Sequence, residues 1–163
     1  MLKIRPAELK DLPAITEIYN EAILRTTASF DTQTKTVGEQ KVWFDKHGDK
    51  YPIVVAVEGE KVIGWASMSQ WSDRCAYAAT AEASLYIKEG YRGEGVGRQL
   101  SIAILKAARE AGLHTAILRI AGDNAVSIKL AKSLGFKSIG VMKEVGNKFG
   151  KLLDVHMMQI IFD

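Results

Sequence analysis

The sequence predicts an α/β fold, a mixed sheet with helices on its faces. Three observations carry this. Short β-branched runs alternate with segments of helical period. Strands open the chain and two adjacent strands close it, with helices interrupting between them. The 163 residues are 47% hydrophobic and 25% charged, enough apolar material for one domain of ordinary size and no call for a disulfide staple.

The elements follow in order. Residues 2–5 read as a short strand closed by Pro6. Asp11 is placed to N-cap a helix with Pro13 in its first turn, where a missing N–H costs little. Leu12, Ile15, Ile18, Tyr19, Ala22 and Ile23 then recur at helical spacing and give that helix one apolar face. Residues 26–34 are polar and irregular, with Phe30 among them. Thr36 and Glu39 have capping-box spacing ahead of a helix over 37–46. Residues 53–57, a turn at 58–61 and residues 62–69 read as a hairpin, and 81–87 as a further strand. A glycine-rich turn leads into a helix over 96–111, with Val96, Leu100, Ile104 and Ala107 on one face and Gly112 as its stop. A strand at 115–121, a helix at 125–134 ended by Gly135, and strands at 137–144 and 152–161 complete the chain.

Composition excludes several classes. One cysteine, Cys75, forms neither an internal bridge nor a multi-thiolate metal site. His47, His114 and His156 lack metal-ligand spacing, so no metal is expected. No apolar run reaches the roughly 18 residues of a membrane span, and residues 1–6 lack the apolar core of a signal peptide. A cytoplasmic protein is the expectation. Lys and Arg number 22 against 19 Asp and Glu, for a net charge of +3. They are dispersed rather than gathered into the basic stripe that nucleic acid requires, so neither nucleic acid nor membrane is expected as a partner.

The segment from Glu82 to Arg98 carries the chemistry. A strand runs into a turn holding Gly93, Gly95 and Gly97, and the turn opens a helix. Glycines there let backbone N–H groups approach an anion, and a helix N-terminus adds its positive end. A phosphate-binding Walker loop would need Gly-Lys-Ser/Thr, and Gly97 is followed by Arg98-Gln99. A dinucleotide fingerprint fits only its first half, because position 98 is Arg. From the residues alone, the turn stands open between an anion cradle and a plain helix start.

Arg92-x-x-Gly95-x-Gly97 after a strand resembles the acyl-CoA motif (Arg/Gln-x-x-Gly-x-Gly/Ala) of the GCN5-related N-acetyltransferases. Asn124-Ala125-Val126-Ser127-Ile128 and Leu134-Gly135-Phe136 look like that superfamily's second cofactor segment. Ile18-Tyr19-Asn20, the stretch Thr26-Thr27-Ala28-Ser29-Phe30-Asp31, Glu82-Ala83-Ser84-Leu85-Tyr86-Ile87 and Gly146-Asn147-Lys148-Phe149-Gly150 are similar to the phosphinothricin/methionine-sulfoximine acetyltransferase branch. The resemblance spans nearly the whole chain, so residues 1–163 are expected to form a single N-acetyltransferase domain with a mostly antiparallel, splayed sheet.

The resemblance implies acetyl-CoA as co-substrate, wedged between the strand of Glu82 and the strand at 115–121. Backbone groups of Leu85, Tyr86 and Ile87 would pair with the pantetheine arm. Arg92, Gly93, Glu94, Gly95, Val96, Gly97 and Arg98 would hold the pyrophosphate, and Asn124 the pantetheine end, besides capping its helix. A strand amide would polarise the thioester carbonyl. Glu82 would be the base that takes a proton from the acceptor's ammonium, directly or through water. Where many superfamily members carry a Tyr as acid, this chain has Ala131; where some relatives have His, it has Phe149. A CoA thiol with a pKa near about 8.5 can leave as thiolate. Direct transfer leaves no covalent role for Cys75.

The acceptor implied is a small amino-acid-like amine. Arg74 would clamp its carboxylate, since a planar guanidinium fork suits that group. Tyr77, Trp71 and Phe30 would line the pocket beside Glu82. A protein or peptide N-acetyltransferase and a non-catalytic acyl-CoA sensor are the alternatives. By resemblance the protein is expected to be a homodimer.

Overall fold

A computed structural model describes residues 1–163. Seven strands form one open sheet in the order β1-β2-β3-β4-β5-β7-β6. These are β1 (Leu2–Pro6), β2 (Ile53–Glu58), β3 (Lys61–Gln70), β4 (Thr80–Ile87), β5 (Thr115–Ala121), β6 (Lys137–Lys148) and β7 (Lys151–Ile161). The helices are α1 (Leu12–Arg25), α2 (Val37–Asp45), α3 (Val96–Glu110) and α4 (Ala125–Ser133). Every neighbouring pair is antiparallel except β4 with β5.

Helices on both faces explain the pattern of the central strands. All of Ile53 to Val57 is buried, so β2 reads as a continuous apolar run rather than an alternating one. On one face Ile15 and Ile18 of α1 meet Val55, Val57 and Trp65. On the other, Val96, Leu100, Ile104 and Ala108 of α3 pack on Val54, Ala56, Ala66 and Met68. That stripe advances by four residues at each step, so Ala108 is its buried member and not Ala107, which is half-buried.

The turn chemistry does what the glycines promised. After α3, Gly112 has φ +85, its N–H donates to Arg109 O, and the Leu113 N–H reaches back to Ala108 O. Gly135 repeats this after α4, with Phe136 N–H on Ala131 O. Both are Schellman stops. The Thr36–Glu39 capping box forms. Asp11 occupies the N-cap of α1 but does not cap it. Its carboxylate is taken instead by the Glu8 N–H and by both terminal nitrogens of Arg5, at 2.7 and 2.9 Å.

β6 runs four residues past the expected end at 144. A bulge between Met142 and Gly146 lets the ladder resume. There Glu144 takes φ +54, held by the Asp154 carboxylate, which accepts from the Glu144 N–H and from Lys143 Nζ. Phe149 and Gly150, both at positive φ, make the two-residue turn into β7.

The one parallel pairing is the feature that positions the site. β4 and β5 share only the register Thr80–Thr115, Ala81–Ala116 and Glu82–Ile117. Beyond Glu82, β4 pairs with β3 alone and β5 with β7 alone. The sheet opens there into a wedge.

Candidate active site

The wedge holds a cavity of about 620 Å³. Leu85 and Tyr86 of β4 form one wall, Leu118 and Ile120 of β5 the other, and Asn124 and Ala131 of α4 the floor. Glu82 stands at its vertex, the last residue of β4 still paired to β5. The expected residues Glu82, Leu85, Tyr86, Asn124 and Phe30 all line this cavity. Asn124 also caps α4, its Oδ1 accepting the Ser127 N–H at 3.2 Å, which leaves its amide N–H groups for a ligand.

The pyrophosphate expectation has a local structural basis. Gly93 and Gly95 sit at φ +80 and +84, which L side chains rarely adopt. Gly95 caps α3 without a side-chain acceptor. The first helical bond runs from Gln99 N–H to Gly95 O, so the amides of Val96, Gly97 and Arg98 precede it as free donors at the positive end of a four-turn helix. A Cβ on Gly97 would meet Leu130 and Leu85 at 3.7 and 3.8 Å, ordinary contact, in keeping with a motif that admits alanine there. Ile87 and the expected pyrophosphate residues Arg92, Gly93, Glu94, Gly95, Val96, Gly97 and Arg98 all lie outside the cavity lining. Arg92 turns toward α1, with Nε on Ile87 O at 3.1 Å and a terminal nitrogen on Glu21 at 2.9 Å. It ties the turn to the end of β4. Arg98 reaches Ser133 Oγ at 3.0 Å.

Sequence reasoning missed the partner of Glu82. Arg119, two residues beyond the last β4–β5 pair, donates through Nε and a terminal nitrogen to both Glu82 oxygens, the second at 2.7 Å. Its guanidinium lies 5.7 Å from the Trp71 ring centroid. The hydrogen bond to Glu82 raises the Arg119 pKa against the opposing effect of burial. One sign was present in the sequence: Arg119 is the single charge in the mostly apolar strand of residues 115–121.

Residues 27–31 of the loop between α1 and α2 also line the cavity. Tyr19 donates to Asp31, and Ser29 Oγ donates to Tyr19 at 3.2 Å. Burial, aided by Asp31, pushes the Tyr19 phenol up to about 12, so it stays protonated at neutral pH. Lys148, only 6% exposed, donates from Nζ to the carbonyls of Thr26 and Ser29. Phe30 packs over Gly146 so closely that a Cβ there would fall 2.3 Å from the ring. Trp71, Arg74 and Tyr77 lie outside the cavity lining; Arg74 and Tyr77 are exposed around a short helical turn over Cys75–Tyr77.

His47 is buried, with Nδ1 on Trp43 O at 2.6 Å and Nε2 on Ser69 Oγ at 3.0 Å. No helix is long and apolar enough to cross a membrane.

An acetyltransferase (GNAT) domain model matches residues 4–157. The chain belongs to the GNAT acetyltransferase family. It is 40% identical over 162 residues to an L-methionine sulfoximine/L-methionine sulfone acetyltransferase of Pseudomonas aeruginosa, covering 98% of this chain and 94% of that one. A phosphinothricin N-acetyltransferase of Streptomyces coelicolor is 32% identical over 158 residues, covering 94% and 92%. The structure of yncA from Salmonella typhimurium with its cofactor acetyl-CoA superposes at TM-score 0.97, with 36% identity over 100% of this chain and 95% of that one. This GNAT protein is an N-acetyltransferase with the mixed, mostly antiparallel open sheet of its neighbours, and acetyl-CoA is its co-substrate. The wedge and the α3 amides fit that molecule: a polar arm can complete β4, and a pyrophosphate can meet free donors.

Proposed function

We propose that the protein acetylates the α-amine of a small amino-acid-like acceptor of the methionine sulfoximine, methionine sulfone or phosphinothricin type. The observation that carries this reading is Glu82 at the vertex of the wedge; in this reading the thioester and an incoming amine converge beside it. The curated relatives named above support the acceptor class.

Glu82 accepts the proton that the ammonium must lose. The freed amine attacks the thioester carbonyl and an amide of β4 stabilises the oxyanion; collapse breaks the C–S bond so that CoA leaves as thiolate, while the second proton on the attacking nitrogen passes to solvent. Ala131 is buried in the cavity wall and offers no acid. The guanidinium of Arg119 holds the Glu82 carboxylate in place until the acceptor arrives. Arg74, whose guanidinium makes no bond within the chain, binds the acceptor carboxylate. The loop held by Lys148 favours a small acceptor over a polypeptide.

We place the protein in the cytoplasm as a homodimer. Its one cysteine is free and exposed. Val141, Val145 and Leu152 are exposed on β6 and β7, an apolar surface at the sheet edge that a second copy would cover.

An assay following CoA release tests the function with methionine sulfoximine, methionine sulfone, phosphinothricin, unmodified amino acids and a peptide. Turnover of the first three carries the reading. Turnover of the peptide alone makes the protein a peptide acetyltransferase, and tight acetyl-CoA binding with no release makes it a sensor. Arg74→Ala should raise the acceptor KM and leave the acetyl-CoA KM unchanged.

A further inference from the structure

A second cavity, of about 310 Å³, lies beside the first between α2 and the β3–β4 face. Tyr19, Asp31, Ser84 and Tyr86 line both. The register that builds it is simple. Ser84 pairs with Ser67, Tyr86 with Trp65 and Glu82 with Ser69. Alternate residues of a strand share a face, so Glu82, Ser84, Ser69 and Ser67 form one polar stripe leading away from the vertex.

Two buried polar atoms in this second cavity have no partner. Ser67 is 1% exposed and Trp65 is 3% exposed. Neither Ser67 Oγ nor Trp65 Nε1 makes a hydrogen bond, and both residues line the cavity. Leaving such groups unpaired is unfavourable. An alanine in place of Ser67 would bury no hydroxyl and would give up only one small polar atom. Two orphans on residues that line the same recess mark it as a place for a group with acceptor oxygens. The indole N–H can only donate.

We propose that this recess is the subsite for the acceptor's side-chain head, and that it selects an uncharged oxo group such as a sulfone or sulfoximine, since Asp31 and Glu39 line it beside Lys35 and disfavour an anion. The proposal rests on the acceptor reading given above. The spacing suits it. Ser84 lies about 6.6 Å along β4 from Glu82 at strand rise, a span that two methylenes and a head group cover when the amine is at Glu82. One head oxygen accepts from Trp65 Nε1 and another from Ser67 Oγ, while Tyr86 and Trp43 flank the methylenes.

The test compares L-methionine sulfone with L-methionine, which has the same length and lacks the oxygens. In Ser67→Ala the KM for the sulfone should rise about ten-fold, the loss expected for one buried hydrogen bond. The KM values for methionine and acetyl-CoA should move less than about two-fold. Trp65→Phe should give the same pattern, with its thermal unfolding measured alongside because Trp65 packs against Tyr19, Trp43 and Tyr86. Titration of the sulfone into CoA-bound Ser67→Ala gives a readout independent of turnover. An unchanged preference for sulfone over methionine in Ser67→Ala overturns the subsite and leaves the recess to water. A wild-type protein that acetylates a peptide but neither amino acid overturns the acceptor reading, and the subsite falls with it. The two failures are therefore distinguishable.

Discussion

At the residue scale, the proposed chemistry turns on Glu82. Its two oxygens already hold Arg119, so the acceptor's ammonium must compete for them. Glu82→Gln keeps the shape and removes the proton acceptor. The kcat/KM should fall about 100-fold near pH 7 and recover as pH rises and free amine accumulates, with acetyl-CoA affinity unchanged; a pH–rate profile reads this directly. Phe30 and Gly146 provide a second residue-level prediction. Gly146→Ala drives a methyl into the Phe30 ring. It should cost about 1–3 kcal/mol of stability, as overpacking does, and raise the acceptor KM by displacing the loop. Adding Phe30→Ala should restore the stability; denaturant unfolding of the single and double variants checks it.

At the scale of elements, the α3 N-terminus separates ligand from fold. Gly95→Ala asks an L residue to hold φ +84. The variant should lose about 1 kcal/mol of stability and bind acetyl-CoA more weakly, with the acceptor KM unmoved. Helix and strand positions were legible because local signals agree: glycine stops after α3 and α4, a capping box before α2, and β-branched runs in β2 and β3. The glycine turn and helix start at residues 93–98 were legible for the same reason, since both are local. Arg119, Lys148 and the Ser67–Trp65 recess were not. Arg119 meets Glu82 only because β4 and β5 run parallel for three residue pairs. Lys148 is buried only because a loop from the other end of the chain folds over it. A lysine on a strand reads as a solvated charge until that long-range contact is known. Asp11 looked like a cap because capping geometry is local, whereas its pairing with Arg5 requires β1 to return beside it.

The molecule as a whole should lose stability toward acid in two stages. Burial depresses the His47 pKa below 6.5, against the opposing carbonyl of Trp43. The unfolded chain therefore takes up a proton there that the folded one refuses. Stability is full above about 6.5 and falls as pH drops through that value. Asp11 follows lower down. Burial alone would raise its pKa, but Arg5 and the Glu8 N–H outweigh it and hold the carboxyl below 3.8. Its contribution is present above that value and is lost as pH falls through the folded pKa. Melting temperatures should decline between about pH 7 and 5, and His47→Gln should flatten that decline while leaving the drop below pH 4.

An open sheet ordinarily has two edges to protect, and this one has four. β1 and β6 are the outer pair. The inner pair, β4 beyond Glu82 and β5 beyond Ile117, lies in the middle of the fold with backbone groups that no neighbouring strand satisfies. Any extended chain could add itself there. We propose that acetyl-CoA, besides being the reagent, covers this inner edge as a strand would. At about 100 times its Kd it should add about 2.7 kcal/mol to stability. Hydrogen exchange should show that protection concentrated at residues 83–87 and 118–121.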